Sequence, residues 1–155
     1  MKRKKLIAAI LTLGMLLVGI GVVQAATLAV TANVQSSLSL VLDTTTMSFA
    51  GVVPGVATVS QPLTATTSGS GAYQLQLTGA TFTGPSTQAA SVLQFKETAV
   101  GTYTSATAAA QNMLGTNSTA TALGDAKTFD IRLNFPAAAP NGTYSANITI
   151  TAAPM

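Results

Sequence analysis

The chain has no cysteine, no histidine and no tryptophan, and only 7% of its 155 residues are charged. Without cysteine no disulfide staples the fold, so stability must come from packing and backbone pairing. Without histidine or cysteine neither a Ser-His-Asp nor a Cys-His nucleophile can be assembled, and zinc loses its usual ligands. Trp is absent and only three Tyr occur, too few for a face of sugar-stacking rings. The carboxylates are Asp43, Glu97, Asp125 and Asp130. Asp125 and Asp130 are a thin basis for calcium, which takes about six to eight oxygens. Glu97, with Lys96 as its neighbour, is a poor start for the carboxylate pair of glycoside hydrolysis. These absences predict a protein that is not an enzyme and uses no metal or cofactor.

The charge that is present is concentrated. Lys2, Arg3, Lys4 and Lys5 precede an apolar run over residues 6–23, and Val23 and Ala25 put small residues at a cleavage site. Basic, apolar and small segments in that order predict a secretory signal peptide over residues 1–25, a helix removed after Ala25. The competing reading is an uncleaved anchor, because the run approaches the roughly 20 residues that span a bilayer. With cleavage, the membrane is met only through the leader, and the mature protein is extracellular or on the cell surface. What remains is Lys96, Lys127 and Arg132 against four carboxylates, a net charge of −1. Three scattered cations cannot neutralise a run of phosphates, so nucleic acid is excluded as a partner.

From Ala26 onward Thr is the dominant polar residue, with 24 against seven charged residues. A hydroxyl-covered surface resists association less than an ionic one. The hydrophobic pattern has a period of two. Residues 28–42 place Leu28, Val30, Ala32, Val34, Leu38, Leu40 and Leu42 on one parity, with mostly Thr, Asn, Gln and Ser on the other. Strands usually run about five or six residues, so this is one long arm or two collinear strands broken near residues 35–37. Residues 58–67 read as a strand with Pro62 at an edge or start. The glycines of Ser68, Gly69, Ser70 and Gly71 turn the chain into alternating Tyr73, Leu75 and Leu77. Residues 92–98 form a short strand, and residues 100–126 a helical turn or a flap. Phe129, Ile131, Leu133 and Phe135 then face Tyr144, Ala146, Ile148 and Ile150 across a long-loop hairpin closed by Pro136, Pro140 and Asn141-Gly142. Lys127 shares the parity of the first run, at its end.

Such a pattern predicts an all-β chain: a single immunoglobulin-like antiparallel β-sandwich of about seven strands over residues 26–155, with an extended N-terminal strand over 26–42. The alternating first strand, the Phe49 to Gly55 turn, the Tyr73-Leu75-Leu77 strand and the closing Asn141-Gly-Thr-Tyr144 segment resemble secreted bacterial surface β-sandwiches such as WxL-domain proteins, though without the Trp motifs. They are also similar in plan to pilus and matrix-fibre subunits whose first strand completes a neighbour's sheet. The resemblance implies a homopolymer, a structural subunit of a surface fibre, with Leu28, Val30, Val34, Leu38 and Leu40 as the donor residues that bind the partner. The alternative is a monomeric cell-surface module recognising a wall or host glycan.

Overall fold

The computed structural model describes residues 37–155. The predicted leader lies outside the described residues, as do Leu28, Val30 and Val34 of the predicted arm. Two antiparallel sheets pack face to face as a β-sandwich. In the first the order is β1 (Leu38–Leu42), β2 (Gln61–Gly69), β8 (Asp125–Leu133), β4 (Leu93–Glu97) and β5 (Thr104–Ser105). In the second, β3 (Gly71–Thr78) is central. It pairs with β9 (Thr149–Pro154) on one side and with the short β6 (Gln111–Asn112) and β7 (Ser118–Ala120) on the other.

Alternation explains which faces meet. Tyr73, Leu75 and Leu77 of β3 and Phe129, Ile131 and Leu133 of β8 are buried, as are Leu63 and Ala65 of β2 and Leu93 and Phe95 of β4. Their odd parity points one side of each strand into a shared core. The outward residues of β4 and β8 carry the ions: Lys96 meets Asp130 at 3.3 Å, and Arg132 donates to Gln94 at 2.8 Å while lying 3.6 Å above the Tyr103 ring.

The chain passes from one sheet to the other at Ser70, between Gly69 and Gly71, both at positive φ. A Cβ on Gly69 would strike the Ser37 carbonyl, so β1 can approach this closely only past a glycine. Leu38 opposes Gly69 and Pro154 opposes Tyr73, so the start of β1 and the finish of β9 both lie at this crossover end. Leu42 and Thr149 lie toward the opposite end.

Several expectations change here. Of the run expected to form a hairpin with β8, residues 144–148 form no strand beyond the isolated Thr83–Ser145 bridge, and its last residues begin β9, which pairs with β3, Leu77 opposing Ile150. Alternation marks the inward face of a run but not its partner, and the connection over residues 134–148 is long enough to cross between sheets. Residues 100–126 hold no helix. They fold into β5, β6 and β7, with Ala106, Met113, Leu114 and Ala120 buried. Pro62 lies in an interior strand rather than at an edge, but near its start. The Asp43 N–H donates to the Thr64 carbonyl, so even residues of β2 turn their backbone toward β1. Since β1 stops opposite Ala65, the donor that Pro62 lacks falls past its end. Within the described part of the predicted arm, the strand is confined to Leu38–Leu42.

Candidate functional site

β1 and β9 border the same edge of the sandwich and lie close to each other there, yet among the described residues neither is hydrogen-bonded to a further strand on that side, and the opening between them is at the Leu42 and Ile150 end. The register decides what these edges offer. With Asp43 bonded to Thr64, the odd residues of β1 face β2, and Leu38, Leu40 and Leu42 turn their N–H and C=O groups toward the opening. In β9 the Met155 N–H donates to the Ala72 carbonyl, so Ile150 and Ala152 turn theirs toward the opening as well. The side chains of the same five residues pack, half-buried, against the core. The seam is therefore flanked by two rows of backbone donors and acceptors above an apolar floor, the arrangement that an added strand uses.

Toward the end away from the crossover the seam widens into a cavity of about 800 Å3. Met47, Phe49 and Val52 line one wall, Tyr144, Ala146 and Ile148 the other, and Leu63, Leu77, Ile131 and Leu133 the floor. Phe135 stacks 4.8 Å from Tyr144 and meets Phe82 edge-on at 5.7 Å, which closes the far end with rings. The Tyr144 hydroxyl donates to the Pro140 carbonyl at 2.9 Å and so holds its own wall in place. Among the described residues no charged side chain lines this cavity. Its lining is mixed, with apolar side chains on the floor and walls and the hydroxyls and amides of Thr44, Thr46, Asn141 and Asn147 beside them.

The expected donor residues divide. Leu38 and Leu40 sit on β1, pair with β2 and pack on their own domain. Leu28, Val30 and Val34 lie outside the described residues.

The ionic residues do not converge on this seam. Asp125 and Asp130 take opposite faces of β8, which rules out a shared ion. Asp130 pairs with Lys96 and accepts from Thr98 at 3.1 Å. Asp125 turns inward, accepts from the buried Tyr73 hydroxyl at 2.7 Å and meets Lys127 at 3.6 Å. Burial alone would raise the Asp125 carboxyl, but hydrogen bonds from Tyr73 and Ser118 and the Lys127 ammonium outweigh it and hold it below the usual carboxylate range. Burial, reinforced by Asp125, pushes the Tyr73 phenol up. This Tyr73–Asp125 bond ties the two sheets together near the crossover end, a polar clasp that sequence reasoning missed because its partners are 52 residues apart. Among the described residues no cluster of metal-ligating side chains forms.

No protein-family model, curated protein or solved structure matches the chain.

Proposed function

We propose that the protein is a non-enzymatic, extracellular structural subunit of a surface fibre, pilus or matrix, assembling when residues 26–36 of one copy enter the β1–β9 seam of the next. The observation that carries this reading is the open seam itself. In the immunoglobulin plan strands A, B, E and D form one sheet and C, F and G the other. The order β1-β2-β8-β4 and the pairing of β3 with β9 support reading these strands as A, B, E and D and as C and F. On that reading the place of G, beside β9, has no occupant among the described residues, and the cavity adjoins its Ile150 end.

Residues 28–34 carry the matching pattern: Leu28, Val30 and Val34 alternate with Thr and Asn. Three buried anchors contribute about 1.5 to 3 kcal/mol each. That only begins to meet an association cost of roughly 4 to 15 kcal/mol, so pairing with both edges must supply the rest. Direction follows from topology. β1 and β9 run opposite ways, so a strand antiparallel to β9 enters with its N-terminus at the crossover end and leaves at the cavity end. From there it continues into its own β1, whose start lies at its own crossover end. The junction is head-to-tail, and a contact of that kind propagates into a filament.

The glycan-binding alternative finds little support in the tyrosines. Tyr73 is buried, the Tyr103 ring is covered by Arg132, and Tyr144 is held against Phe135.

The test is exported protein carrying Val30→Asp, compared with Thr31→Asp, in sedimentation and electron microscopy. Val30→Asp should abolish filaments, Thr31→Asp should retain them, and excess peptide of residues 26–36 should block wild-type assembly. Wild-type filaments from Val30→Asp, together with indifference to the peptide, would overturn the reading.

A further inference from the structure

Charge is distributed along this chain in blocks: no residue between Asp43 and Lys96 is ionic, and none after Arg132. The loops over residues 44–60 and 134–148, at the cavity end, carry no ionic residue. A monomer's surface is ordinarily studded with charges of both signs. The first of these loops instead exposes valines. Val53 and Val56 are each 58% exposed and Val59 is 90% exposed. Together with Phe49 they border a second hollow of about 340 Å3, roomy enough for one branched aliphatic side chain. The loop that carries them is fixed to β8 and the residues after it. The Gly55 and Thr58 N–H groups donate to the carbonyls of Phe135 and Leu133, both at 2.8 Å, and Leu133 N–H donates to the Thr58 hydroxyl at 3.0 Å.

At the opposite end Leu123 is 100% exposed, and Met155, whose N–H donates to the Ala72 carbonyl, is 64% exposed. The Leu123 turn is rigid. The N–H groups of Gly69 and Gly124 both donate to the Thr121 carbonyl, and the Thr121 hydroxyl donates to the Gly124 carbonyl at 3.2 Å. Gly124 has φ +96°, and a Cβ there would meet Thr66. A position that only glycine fits is thus spent on a turn whose tip is a bare leucine. Leu123 lies beside Gly69 and the hollow beside Gln61, the two ends of β2.

We infer that Leu123 of one subunit seats in the Phe49–Val53–Val56–Val59 hollow of the next, a second contact between copies of this chain at each head-to-tail junction. The inference rests on the strand-addition reading, because that reading brings the crossover end of the donor against the cavity end of the acceptor. Stacking along the β2 axis then aligns knob with hollow. The contact is heterologous, so it propagates with the strand and fixes the rotation of each subunit about it. A second contact makes the junction stiff.

The experiment compares exported Leu123→Lys, Val56→Asp and the double variant with wild type and with Ala109→Asp, an exposed control in the loop before β6. Both substituted positions are exposed, so thermal unfolding should be unchanged in all of them. Each single variant should raise the concentration needed for assembly about tenfold, the equivalent of about 1.4 kcal/mol. The double variant places opposite charges across every junction and should recover to within about threefold of wild type. Assembly of Leu123→Lys at the wild-type concentration, or a double variant no better than the singles, would overturn the contact. Val30→Asp and the 26–36 peptide, run in parallel, report on the strand alone. If they block assembly while Leu123→Lys does not, strand addition stands without the end contact. If they do nothing and charge at Leu123 still weakens association, the end contact stands without the strand.

Discussion

The two flanks of the sandwich are built from the same alternating Thr- and Ala-rich sequence, yet one is closed and the other is not. On the closed flank, residues 98–124 fold over the core. Ala106, Met113, Leu114 and Ala120 are buried, the Gln111 side chain binds the Thr107 N–H and the Ser105 carbonyl, and Asn112 binds the Leu114 N–H. On the seam flank Leu38, Leu40, Leu42, Met47, Phe49, Ile148 and Ile150 point the same way but remain half-buried. Apolar parity therefore aims a side chain without covering it. Covering requires a further segment, and on the seam flank the described residues do not provide one.

Adjacent strands offer the sharpest way to break this comparison. Leu75 on β3 is fully buried, whereas Ile150 on its neighbour β9 is half-buried at the seam. Leu75→Ala should cost about 2 to 5 kcal/mol in denaturant unfolding of the unassembled protein. Ile150→Ala should cost less than half as much there, and should cost more once subunits are assembled. Equal losses in the unassembled protein would mean that the seam is already closed.

A smaller effect probes what joins the sheets away from the seam. Asp125 titrates below its unfolded value, so its contribution to stability is complete above the ordinary carboxylate range. It is lost as pH falls through the depressed folded value. Asp125→Asn should lower stability at neutral pH by about 1 to 3 kcal/mol, by weakening the bond with Tyr73 and removing the partner of Lys127. It should also flatten the acid limb of the stability profile. An unchanged acid limb would assign that limb to other carboxylates. Tyr73 titrates above its unfolded value, so its contribution is present below pH 10 and is lost as pH rises past the raised folded value.

The smallest expected effect has the opposite sign. Thr67 is fully buried, and its hydroxyl lies near the Tyr73 phenol but makes no hydrogen bond of good geometry among the described residues. Thr67→Val should be neutral or stabilising by up to about 1 kcal/mol, read as a rise in melting temperature. A clear loss would show that the hydroxyl is bonded in solution.

Much of the inward-facing set is legible in the order of residues alone. Leu75, Leu77, Leu93, Phe95, Phe129, Ile131 and Leu133 are all buried, and the period of two puts each on its inner face. The turn at residues 68–71 and the strand start at Pro62 are legible for local reasons too, glycine φ and a missing N–H. The hairpin expected between residues 129–135 and 144–150 is a misreading, because both runs satisfy the same parity rule and the rule does not name partners. The stretch over residues 100–126 is opaque because its strands are two or three residues long, too short to show a period.

By itself, then, the sequence determined that the described chain is β and which face of each strand is apolar, since a period of two is a property of neighbouring residues. Only the tertiary structure decided which strand lies beside which, that β9 pairs with β3, and that among the described residues the outer edges of β1 and β9 are left unpaired. Those outcomes depend on how distant segments close around one core, which no run of neighbouring residues records.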